Sequence, residues 1–372
     1  MNTEPIAPLF DRYNIKCKNG EYIVKGYGQG GQKCIMENGP ERDAILSGTS
    51  LAGSIAITRT KTNRTALQIL LHVAQKIHEW LTGHRGEKTL SRSCHTFIIT
   101  GPSVKANGEP IPLPEKCGKG HPLMMVDAVR VGMEGVLRRS SDPLKDEGVS
   151  SYDVFVPRNG DLRKRIVKLA TQTSVPKKGL GDGEDVKAWK YYHEDCIGDQ
   201  DKKINFSIGK MLACLFRTGR EMAPKNERAE EYTAHVLADV LQENVQNMSD
   251  PKGNKLSFFC NSYATTIFQA ALFQEAVEKA GDSASFLHDE NGTSLDRTAL
   301  AAKIQNAFRN GGSTETEKAI QRIFQQTEFA RVDAANFPSY RFVKLGKQHS
   351  IEQPVVVELP QGLLTEQPHY LE

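Results

Sequence analysis

The chain has 372 residues, with 48 Lys and Arg against 45 Asp and Glu and a formal charge of +3. That length buries a sizeable core in one large domain or two ordinary ones, and so balanced a charge excludes a strong field for nucleic acid. The 7 cysteines are odd in number and widely spread, which argues against a disulfide framework and for a reducing compartment. Met1 to Phe10 lacks the basic and apolar regions of a Sec-type signal peptide. No apolar run approaches the length of a membrane span. A soluble protein without a transmembrane segment is expected.

Residues 1–50 are rich in glycine and polar groups and read as an N-terminal extension, with Tyr22-Ile23-Val24 as a short strand. Gly26 to Gly31 is glycine-rich, but no βαβ pattern surrounds it, so a loop is expected there rather than a phosphate cradle. Residues 54–60 read as a strand. Apolar residues at helical spacing from Ala66 to Leu81 predict a helix over 65–81, closed by Gly83 and Gly86. A second strand over 94–100 starts with His95 and ends at Gly101-Pro102. Taken alone, a histidine there is most simply a capped or core-edge residue.

Residues 102–122 have the proline and glycine of a loop. Cys117 and His121 offer two metal ligands there, but no partner pair completes a zinc set, and no metal or cofactor is expected. Residues 123–129 are a third strand carrying Asp127, and Gly132 to Leu137 leads into a turn. Residues 152–157 are a fourth strand, ended by Pro157. Residues 162–171 predict a basic amphipathic helix whose Arg163-Lys164-Arg165 face is solvated. A helical insertion spans 172–256: a loop from Pro176 to Gly183, a short helix over 208–216 and a clear helix over 226–245. After the next helix, 281–346 read as a helical hairpin (294–308 and 314–324, capped by Thr293 or Ser294) and a closing strand. Residues 347–372 read as an exposed tail.

The organising stretch is Leu256 to Ala264. An apolar run meets Cys260, and a helical pattern continues through Ile267, Phe268, Ala271 and Leu272 to Gly281. Cys260 therefore falls at a helix N-terminus, where unpaired N–H groups and the macrodipole favour the thiolate. Free cysteine is also among the most buried residue types, so position alone does not make it a nucleophile. Cysteine catalysis needs a base for the thiol proton and a polar group to orient that base. Adjacent antiparallel strands place His95 and Asp127 within side-chain reach on one face. A helix packed across them brings Cys260 to the same spot, with its backbone N–H as part of an oxyanion hole.

The order Gly53-Ser54-Ile55-Ala56-Ile57, a helix, Cys94-His95-Thr96-Phe97, Met125-Val126-Asp127-Ala128, Asp153-Val154-Phe155-Val156-Pro157-Arg158, a basic helix and Phe259-Cys260-Asn261-Ser262 resembles the circularly permuted papain-like hydrolases, the YiiX/YaeF-like branch of the NlpC-type superfamily. The likeness covers about residues 50–280 and departs from the family pattern at Ser54, after His95, at Asp127 (where Glu, His or another polar group is common), at Asn261 and in the length of the 172–256 insertion. It implies an α+β fold in which an antiparallel sheet packs on the nucleophile helix, with a permuted papain-like core over 51–280. It also implies Cys260 as nucleophile, His95 as base and Asp127 as orienting group.

The resulting expectation is a cysteine peptidase or amidase that works through an acyl-enzyme. Its substrate would be a protein, a peptide or an acyl lipid, with no nucleic-acid partner. It would work in the cytoplasm, or in a host cytosol after export without a signal peptide. A lipid acyltransferase or phospholipase on the same scaffold, and a non-catalytic binding module with Cys260 buried, are the alternatives.

Overall fold

A computed structural model of the chain describes residues 10–27, 33–60 and 205–206, and most of 93–176 and 227–308. In chain order the strands are β1 (Phe10–Lys18), β2 (Glu21–Tyr27), β3 (Lys33–Ile35), β4 (Ser54–Thr60), β5 (Ser93–Pro102), β6 (Leu123–Val129), β7 (Gly135–Ser141), β8 (Val149–Pro157), β9 (Val175–Pro176), β10 (Asn205–Phe206) and β11 (Ser257–Phe258). The helices are α1 (Pro40–Leu46), α2 (Gly160–Gln172), α3 (Glu227–Leu241), α4 (Cys260–Lys279) and α5 (Arg297–Phe308).

Nine strands form one sheet in the order β3-β2-β1-β8-β4-β5-β6-β7-β9. Every neighbouring pair is antiparallel except β7 with β9. Each face of the sheet carries its own core, because successive side chains point to opposite sides. Ile55, Ile57, Ile98, Met124, Val126 and Phe155 pack with α2, α3 and α4 in the first core. Ala56, Phe97, Ile99, Met125, Tyr152 and Val154 pack with Ile45, Leu46 and Leu51 in the second. Strands covered on both faces lose the polar-out alternation and read as apolar runs, as β6 and the second half of β8 do.

The expected strands over 54–60 and 123–129 coincide with β4 and β6, and the central helices lie where their periodicity puts them. Three expectations are corrected. Residues 10–27 and 33–35 are not an appendage: β1, β2 and β3 belong to the main sheet, with β1 hydrogen-bonded between β2 and β8. Asp11, Arg12, Asn14 and Lys16 hide β1 from a hydrophobicity reading. The turn that Gly132 to Leu137 was expected to lead into gives way to β7, which pairs along the whole of β6. Cys17 and Cys117 form a disulfide across a separation of 100 residues, against the expectation of free thiols. Such bridges persist in oxidising surroundings, an argument against a reducing compartment. The bridge also commits the Cys117 sulfur, so this residue is no metal ligand. The helices expected over 65–81, 208–216 and 314–324, the closing strand and the tail lie outside the described residues.

Two local devices place the helices. Asn159 caps α2, its side-chain oxygen accepting from the Asp161 and Leu162 N–H groups at 2.9 and 3.0 Å. The basic face of α2 is solvated at Lys164, whose side chain is 82% exposed, and tied down on either side of it. Arg163 donates to the Ser50 and Ala52 carbonyls at 2.7 and 2.8 Å, and Arg165 and Lys168 pair with Glu278 and Glu243. Gly53, at φ +81°, lets the chain pass this helix: a Cβ there would lie 2.5 Å from the Arg163 carbonyl oxygen. At α5 the cap is Asp296, not Thr293 or Ser294, since its carboxylate accepts from the Ala299 N–H at 2.8 Å.

Candidate active site

Cys260 is the first residue of α4, directly after the β11 stretch. The first turn of α4 is anchored by Tyr263, which is fully buried. Its hydroxyl lies 2.7 Å from Thr173 Oγ1 and 3.2 Å from the Ala170 carbonyl at the end of α2, and its ring packs on Phe258. Buried tyrosines keep such hydrogen bonds because an unpaired hydroxyl in the core is costly. The anchor fixes where Cys260 emerges. Cys260 is a free cysteine, and the residue as a whole is half-buried.

His95 and Asp127 meet through the strand register. On β5, His95 shares a face with Phe97, and the two rings stack at 6.2 Å. On β6, Asp127 shares that face with Met125 by alternation. The His95 Nε2 lies 2.7 Å from Asp127 Oδ2. The Asp127 side chain is wholly buried, while that of His95 keeps 23% of its surface exposed. The carboxylate is thus the more deeply buried partner of the pair.

The third contact closes the constellation. The β5–β6 ladder ends at Ile98↔Val126 and does not extend to Thr96. The Thr96 backbone N–H donates to the Cys260 sulfur, and the His95 ring shares a hydrogen bond with the same atom. With Nε2 taken by Asp127, the ring nitrogen left for the thiol is Nδ1. Burial by itself would raise the Cys260 pKa, but the His95 charge, the His95 hydrogen bond and the Thr96 N–H outweigh it and hold the thiol below its usual range. Burial would likewise depress His95. The Cys260 charge and the Asp127 hydrogen bond reverse this and raise the imidazole well above 6.5. Opposite shifts on a contacting thiol and imidazole are the direction that favours a thiolate–imidazolium pair.

The structure brings the three side chains of the sequence expectation to one place, and two further groups, not foreseen there, act on them. One is the Thr96 N–H. The other is Arg139 on β7, which donates to Asp127 Oδ2 through Nη2 at 2.9 Å and Nε at 3.3 Å. Arg139 was missed because the segment was expected to turn; as a strand it pairs with Met125 and stands diagonal to Asp127 on the same face. A second buried carboxylate, Asp153 on β8, plays no part in this constellation. It alternates with Phe155 onto the opposite face and is held by Arg59, Arg12 and Asn14.

Among the described residues no group of three or more His, Cys, Asp or Glu is placed to hold a metal. None of the helices among them is long and apolar enough to cross a membrane. Compared with protein families, characterised proteins and solved structures, the chain matches none.

Proposed function

We propose that the protein is a cysteine hydrolase that cleaves an amide or peptide bond through an acyl-enzyme, with Cys260 as nucleophile, His95 as base and acid, and Asp127 as the orienting group. One observation carries the reading: a free thiol at a helix start shares a hydrogen bond with an imidazole whose far nitrogen is 2.7 Å from a buried carboxylate. The chain order, with the His strand and the Asp strand ahead of the Cys helix, supports a permuted papain-like core.

The chemistry follows from these positions. The Cys260 thiolate forms a C–S bond to the substrate carbonyl carbon, and the carbonyl π electrons move to oxygen. The Cys260 N–H, at the start of a 20-residue helix, points its dipole at that oxyanion. Collapse breaks the C–N bond, and the leaving amine takes the proton that His95 carried. Water then attacks the thioester carbon while neutral His95 accepts its proton. Expulsion of the thiolate restores the ion pair. Asp127 stabilises the imidazolium at each stage where it exists.

The test is iodoacetamide labelling of the folded protein across pH, read at the Cys260 peptide by mass spectrometry. Rapid labelling below neutral pH that is lost in His95→Ala is the expected result. Labelling of Cys260 no faster than that of exposed Cys34, at every pH, would refute the catalytic reading and leave a binding scaffold. Hydrolysis of a peptide library by the wild type and not by Cys260→Ala then identifies the bond.

A further inference from the structure

We propose that Arg139 is a positioning residue of this site: it holds Asp127 turned toward His95 as a carboxylate, and so sets how firmly the imidazole pairs with the Cys260 thiolate. The inference rests on the reading of Cys260 and His95 as nucleophile and base. Asp127 has no exposed side-chain surface, and a buried carboxylate without a fixed counter-charge takes up a proton instead. The titratable and charged groups that face it are His95 from β5, Arg139 from β7, and Cys260 and Tyr263 from α4. Of these only the guanidinium is positive at every stage. His95 gives its proton to the leaving amine, so in the acyl-enzyme Arg139 is the cation left on Asp127.

Geometry assigns a second task to the same side chain. Arg139 and His95 converge on one oxygen, Oδ2, while Asp127 Oδ1 has no hydrogen-bond partner among the described residues. A carboxylate held by His95 alone is free to present either oxygen. The two Arg139 contacts, from Nη2 and Nε, stop that rotation and keep Oδ2 on Nε2.

The experiment measures the pH profile of Cys260 alkylation in the full chain for wild type, Arg139→Met, Arg139→Lys, Asp127→Asn and the double variant Asp127→Asn/Arg139→Met. In Arg139→Met the acid limb is expected to move up by about one pH unit, slowing labelling about tenfold below its midpoint. Arg139→Lys, which keeps the charge and loses the fork, is expected to recover part of that shift. In the Asp127→Asn background Arg139→Met is expected to add nothing, because its route runs through the carboxylate. A folded Arg139→Met protein with the wild-type profile overturns the inference. If that variant does not fold, a wild-type profile in Arg139→Lys, or an added shift in the double variant, overturns it instead. These results leave the catalytic reading intact. A wild-type Cys260 that labels slowly, or independently of His95, overturns both.

Discussion

Removing the Cys17–Cys117 bridge tests how much stability one covalent link between the sheet and a long loop supplies. The bridge joins β1 to the loop between β5 and β6, and the Cys117 N–H donates to the Gly20 carbonyl at 2.9 Å beside it. The same loop lays Leu113 on the second core. Closing a loop of 100 residues withdraws enough entropy from the unfolded chain to be worth about 4.7 kcal/mol at 25 °C in the chain-entropy account. Whole domains are stable by only about 5–15 kcal/mol. A Cys17→Ala/Cys117→Ala protein is therefore expected to fold but to lose about 3–5 kcal/mol in urea unfolding followed by far-UV circular dichroism. Its m-value should rise, because the unfolded chain is no longer cross-linked. A loss below about 1 kcal/mol at equal m would mean that the bridge ties segments already held by packing, and would refute the argument. The result bears on function: the thiol reductants that protect Cys260 in an assay would also open this bridge, so activity is expected to decay faster with heating in dithiothreitol than without it.

Three further outcomes follow from single contacts. Gly53→Ala puts a Cβ 2.5 Å from the Arg163 carbonyl oxygen at φ +81°, and overpacking plus backbone strain should cost about 3 kcal/mol in thermal or urea unfolding; an unchanged melting temperature would contradict the close approach. Arg297→Ala strips Asp239, whose side chain is fully buried, of the 2.7 Å contact that offsets its burial, and is expected to cost about 3–5 kcal/mol, recovered in part by adding Asp239→Asn. The pH dependence of stability has two signed contributions. Asp127 titrates below its ordinary 3.8 in the fold, against the pull of burial, because of His95 and Arg139; its contribution is present above that value and is lost as pH falls through the native one. His95 is raised above 6.5, so its contribution is complete below that pH and is lost as pH climbs through the raised value. Urea midpoints measured from pH 2 to 10 should show a shallower acid limb in Asp127→Asn and a shallower alkaline limb in His95→Ala.

What the linear chain determined by itself were the elements whose burial is symmetric along their length. Strand β4 and strand β6 are apolar enough to be read directly, and α2, α3 and α4 show their faces by periodicity. Cys260 at a helix start and His95 at a strand start were legible for the same reason, since both are defined by where an apolar pattern begins. Strand β1 was not legible, because five of its nine residues are polar and Arg12 and Asn14 face the Asp153 charge cluster rather than solvent. Strand β7 was not either: a segment with two adjacent arginines becomes a strand only because β6 offers its edge. Everything that makes the site more than three residue types was decided in three dimensions. The 2.7 Å His95–Asp127 contact needs the register of two strands. The Thr96 N–H reaches the thiol only because the β5–β6 ladder stops short of it. Arg139 reaches Asp127 only through the β6–β7 pairing, and the Cys17–Cys117 bridge joins positions 100 residues apart. Local pattern reports which face of an element is buried; it carries no record of which charges and sulfurs that burial brings together.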